Sequence, residues 1–74
     1  MACIKPDGTL TSSARMIMNV MKDHDQLEEV SQLTGIPLYL VRVTARELVE
    51  AGLAEEHEGH YHLTADGLQR LSAS

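Results

Sequence analysis

The sequence predicts a mainly α fold with one small β-hairpin, its elements ordered α-α-α-β-β-α. Three observations lead there. Stretches between Thr11 and Ala51 repeat apolar residues at three- and four-residue steps, the period of a helix with one buried face. The short join "TGIP" between the second and third of these is the spacing of a helix-turn-helix. Finally, "LAEEHEGHYHLT" sets two short extended arms around Glu58-Gly59, a two-residue hairpin turn.

The first helix is expected within "TSSARMIMNVMKDH", where Thr and Ser hydroxyls can cap its start. Ala14, Ile17, Met18 and Met21, with Val20 beside them, trace its buried face. A methionine cluster can also form a copper or sulfur-rich binding surface. Helical spacing favours core filling instead, since flexible thioethers fit irregular gaps.

The second helix, "DQLEEVSQLTG", is punctuated at both ends. Asp25 with Glu28 three residues on reads as a capping box. Leu27, Val30 and Leu33 form the apolar stripe, and Gly35 falls where a left-handed C-terminal residue is needed. Glu28 and Glu29 have the look of an acid pair, but negative charge in a first turn is explained by the helix dipole alone.

The third helix, residues 37–51, restarts at once in "IPLYLVRVTARELVEAGL". Pro37 suits a first turn because its missing N–H costs nothing there. Val41, Ala45 and Leu48 form the inward stripe, with Leu38 at its edge, and Gly52 ends the helix. In the hairpin, the turn sets His57 opposite His60, Glu56 opposite Tyr61, Glu55 opposite His62 and Ala54 opposite Leu63. Side chains alternate along a strand, so Ala54, Glu56, Tyr61 and Leu63 share one face. Leu63 must point inward, which turns His57, His60, His62 and Glu55 outward. Thr64 then caps a last helix, "ADGLQRL", anchored by Leu68 and Leu71.

Composition bounds the function. Seventy-four residues, 43% of them apolar and 23% charged, make one globular domain with no room for a catalytic cleft between two layers. Residues 1–9, with the turn-forming "KPDG", read as a flexible lead-in to a domain over 10–74. Cys3 is the only cysteine, which excludes an internal disulfide and a four-cysteine zinc site. "MACIKPDGTL" lacks the apolar stretch of a signal peptide and no apolar run spans a bilayer, so a cytoplasmic location is expected. The net charge of -5 gives none of the basic balance that marks many nucleic-acid binders.

Taken together, "LTGIP", "ELVEAGLAEE" and "YHLTADG" at this separation resemble the winged helix-turn-helix domains of bacterial and archaeal regulators related to MarR and ArsR. The resemblance covers Leu10 to about Leu71. It implies a dimeric, prokaryotic, DNA-binding transcriptional regulator whose third helix enters the major groove. Opposite the buried stripe, that helix carries Tyr39, Arg42, Val43 and Arg46, with Glu47 and Glu50 further along. Arg42 and Arg46, one turn apart, suit guanine edges or phosphates; Tyr39 suits a phosphate and Val43 a thymine methyl. The competing assignment pairs both arginines with neighbouring carboxylates on a solvated helix.

The wing departs from the family. Residues 54–74 carry one arginine against four acids, and Glu55, Glu56 and Glu58 replace the basic residues that grip a phosphate backbone. A second function class therefore stays open: a winged-helix adaptor that binds protein, not DNA, through the apolar Tyr39, Leu40 and Val43 patch and an acidic wing. The wing histidines allow three roles. His57, His60 and His62 are candidate metal ligands with Glu55, cross-strand neighbours being only ~5 Å apart. They are also candidate proton sensors, because imidazoles ordinarily titrate near about pH 6.5. The plainest role, and the one expected, is a solvated strand face.

Remaining residues point to no chemistry. Cys3 has only Lys5 nearby to activate it and reads as an inert thiol. His24 suits the C-terminal end of the first helix. No phosphate-cradling glycine loop, nucleophile elbow or His-Cys metal spacing occurs, so neither an enzyme nor a cofactor is expected.

Overall fold

A computed structural model of the chain describes residues 10–73; the expected lead-in over 1–9, Cys3 included, and Ser74 lie outside them. The first helix, α1, spans Ser12–Met21, and the Thr11 Oγ1 accepts from the Ala14 N–H at 3.2 Å as its cap. Ala14, Ile17, Met18 and Met21 are all buried, so the methionines on the inward face do serve as core. His24 does help to cap the C-terminal end of α1, through its backbone and not its side chain. Its backbone N–H donates to the Val20 carbonyl, while its Nδ1 lies 3.5 Å from Glu29 Oε1 on the next helix.

Helix α2 spans Leu27–Thr34 and corrects two expectations. The N-cap is Gln26, and no side chain caps it, so the Asp25–Glu28 capping box does not form. Both carboxylates are used elsewhere, Asp25 toward the hairpin and Glu28 toward the third helix. Leu27 and Val30 are buried, but Leu33 is 60% exposed. Each three-residue step falls about 60° short of a full helical turn, so two of them carry Leu33 off the buried face. Thr34 comes closer to it, and its hydroxyl donates to the Val30 carbonyl at 2.7 Å. Gly35 ends the helix at φ 76, the left-handed value expected of it.

Helix α3 spans Leu38–Glu50, one residue shorter at each end than expected, with Pro37 as its N-cap. The Pro37 carbonyl accepts from the N–H groups of Leu40 and Val41, so proline starts the helix from just outside it. Val41, Ala45 and Leu48 are fully buried and Leu38 packs at the edge of the core. Thr44, between them, is buried as well.

Strands β1 (Ala54–His57) and β2 (His60–Leu63) pair antiparallel in the predicted register, from Ala54 opposite Leu63 to His57 opposite His60. Glu58 and Gly59 both take positive φ, 52 and 84, as a primed two-residue turn requires. The Glu56 carboxylate accepts from the Gly59 N–H at 2.7 Å and steadies that turn. At the base of the hairpin the Thr64 N–H donates to the Leu53 carbonyl, and its hydroxyl donates to the Gly52 carbonyl at 2.8 Å.

The same hydroxyl accepts from the Gly67 N–H and so starts α4, Ala65–Ala73, as expected. The anchoring of α4 differs from expectation. Leu71 packs on the core, whereas Leu68 is 45% exposed and the buried residue is Gly67. Helix α4 docks with its bare glycine face on the Leu53 backbone, which rotates Leu68 toward solvent. The result is a winged-helix fold: three helices around one core that includes Leu10, Ile17, Met18, Val30, Val41 and Leu48, a two-stranded wing, and a closing helix.

Candidate functional site

Burial on one side of α3 decides what the other side offers. With Val41, Ala45 and Leu48 at zero exposure, the helix cannot roll about its axis without uncovering the core. Tyr39, Arg42, Val43 and Arg46 are consequently all exposed, as expected. Four-residue spacing sorts them into two rows, Tyr39 with Val43 and Arg42 with Arg46.

The arginine row faces the wing. Arg42 and Arg46 line a groove of about 260 Å³ together with Leu27 and Glu28 of α2 and Gly59 and Tyr61 of the wing. Across it, Arg42 Nη2 lies 3.8 Å from Glu28 Oε2, and both side chains are largely exposed. An exposed ion pair of that length contributes about 0–1 kcal/mol. The second row is apolar. Tyr39 is 68% exposed, Val43 44% and Leu40 42%, and Leu33 at the end of α2 adds to the exposed apolar surface around the turn.

The wing is held by Asp25. Its backbone carbonyl accepts from the Tyr61 N–H at 2.8 Å, and its Oδ2 lies 3.0 Å from His60 Nδ1. A carboxylate only accepts, so the imidazole donates through Nδ1. This corrects the expectation that all three histidines point free into solvent: His60 is half-buried and partnered, while His57 and His62 are exposed. Among the described residues, no three His, Cys, Asp or Glu side chains are placed to share a metal ion, so His57, His60 and His62 do not converge. Glu55, Glu56 and Glu58 are exposed on the wing and leave it acidic.

Two participants were invisible to sequence reasoning. Glu28 and Asp25 carry a strong local helix-start pattern, and nothing nearby in sequence indicates Arg42 or His60 as their partners. No helix among the described residues is long and apolar enough to cross a membrane.

No protein-family model matches the sequence, and no curated protein matches it. Among solved structures, the chain is similar to the crystal structure of T. acidophilum IdeR, with a TM-score of 0.62 and 22% sequence identity, over 80% of this chain. The match spans 30% of the IdeR chain, and at that identity it establishes a common fold.

Proposed function

We propose that this chain is a small DNA-binding regulator of the MarR and ArsR type, prokaryotic and cytoplasmic, in which α3 reads the major groove. The observation that carries this reading is the two-sidedness of α3: one face is locked into the core, and the opposite face presents Tyr39, Arg42, Val43 and Arg46 together. The two guanidiniums stand one turn apart, suited to guanine O6 and N7, while Val43 meets a thymine methyl and Tyr39 a phosphate. A second copy of the chain would read a second half-site about one helical turn away. The wing stays off the phosphates, because Glu55, Glu56 and Glu58 repel them.

Few phosphate contacts make the salt dependence shallow. Each arginine on a guanine is worth about 1–3 kcal/mol. The double replacement Arg42→Ala with Arg46→Ala is therefore expected to weaken duplex binding by roughly 30-fold or more, read by fluorescence anisotropy at low salt. Unchanged affinity in that variant sinks the reading.

The exposed row of Leu33, Tyr39, Leu40 and Val43 favours a second reading, an adaptor that docks on protein through its apolar turn. Duplex binding at low salt, tried at about pH 5.5 and about pH 7.5, separates the two. An adaptor binds no duplex at either pH, and Tyr39→Ala weakens its protein complex.

A further inference from the structure

We infer that Glu28 is a selectivity-determining residue of the α3 face, holding Arg42 in the groove and turning phosphate away from it; this rests on the DNA reading above. The usual role of an acid in a first helical turn is to cap the helix or to complement its dipole. Here α2 has no side-chain cap, and the Glu28 carboxylate is directed across the groove to Arg42 Nη2, 3.8 Å away. Its neighbour in the same turn, Glu29, meets the dipole equally well but is directed to His24 at 3.5 Å. Two acids of one turn thus have separate environments, and only Glu28 lines the groove with Arg42 and Arg46.

The consequence follows from charge. Arg42 and Arg46 alone would draw any phosphate backbone into the groove, whatever its sequence. A carboxylate beside them opposes that general attraction. It also biases the Arg42 side chain to one side of its rotamer range, and it can itself accept from a cytosine amino group. Glu28 thereby lowers affinity for arbitrary duplex more than affinity for a duplex whose base edges satisfy both the arginine and the carboxylate. It acts through Arg42 and is a positioning residue in that respect.

Glu28→Gln removes the charge while keeping length and hydrogen-bonding capacity. Glu29→Gln makes the same change in net charge, in the same turn, away from the groove. For a random duplex, Glu28→Gln is expected to raise affinity about five-fold, the effect of removing one unit charge at about 4 Å in water. Its salt slope should steepen by about one. Its preference for a duplex selected from a random pool over random duplex should shrink. Glu29→Gln and Glu28→Asp are expected to stay within about two-fold of the parent chain on all three readings. The inference is overturned if Glu28→Gln matches the parent chain, or if Glu29→Gln reproduces its effect and shows that only net charge matters. Both results leave the DNA reading intact. Absence of duplex binding in the parent chain and in every variant overturns the reading and this inference together.

Discussion

Replacing Gly67 by alanine is expected to lower the melting temperature by about 10 °C or more, although the same change in an exposed helix would raise it. Helix propensity alone favours alanine by about 0.5–1 kcal/mol. Geometry reverses the sign. A Cβ at position 67 would fall on the Leu53 carbonyl oxygen, with the Leu53 carbonyl carbon only 3.0 Å away. That obstacle is backbone and cannot step aside by changing rotamer. The Leu53 carbonyl also accepts from the Thr64 N–H, so moving it strains the base of the wing. Overpacking of this kind costs about 1–3 kcal/mol, or more where backbone must shift. In a chain this short the core commonly supplies about 3–5 kcal/mol in all, so most of the margin goes. Gln69→Ala, an exposed position on α4, is the control and should change stability by no more than about 0.5 kcal/mol. A Gly67→Ala chain that melts at or above the parent would show that α4 does not dock as described.

Leu48→Ala is expected to have one of the largest effects of any single replacement, about 2–5 kcal/mol. Leu48 is fully buried and among the larger such side chains in the core, and it lies on the α3 stripe with Val41 and Ala45. Its removal takes away apolar burial and leaves a void that close-packed neighbours fill only in part. The loss is comparable to the whole stability of a domain of this size, so the chain should be largely unfolded at room temperature. Urea unfolding followed by circular dichroism reads this directly. Leu33→Ala removes the same atoms from a side chain that is 60% exposed and should change stability by only about 0.5 kcal/mol. Equal effects at the two leucines would contradict the assignment of the core.

The contrast between these leucines shows what local pattern can reveal. Stripes at mixed three- and four-residue steps, such as Ala14, Ile17, Met18 and Met21, stay on one face and were legible. Leu27, Val30 and Leu33 advance only by threes, and the third drifts out of the core. The hairpin register was legible down to each pair because a two-residue turn leaves one alignment that buries Ala54 and packs Leu63 against the core. Asp25 was misread for the opposite reason. Its capping pattern is local and strong, but its actual partner, His60, lies 35 residues away in sequence. Gly67 hid for want of a side chain, since a glycine in a helix gives no sign of the backbone it touches. On α3 the exposed identities were legible from periodicity. The pairing of Arg42 with Glu28 depends on how α2 crosses α3 and was not.

The acidic wing gives the proposal its particular form. Glu55, Glu56 and Glu58 deny the wing a phosphate grip, and Asp25 fixes its inner edge to the α1–α2 loop. The proposed DNA contact therefore centres on α3 and its flanking groove. Titrating the chain with short duplex DNA at low salt, followed by amide proton–nitrogen correlation spectra, tests this most directly. Movement of the Tyr39, Arg42, Val43 and Arg46 signals, with those of Glu56 to Gly59 at the wing tip still, is the expected result. Signals that move at the wing tip while α3 stays silent, or a spectrum unchanged at saturating duplex, would contradict it.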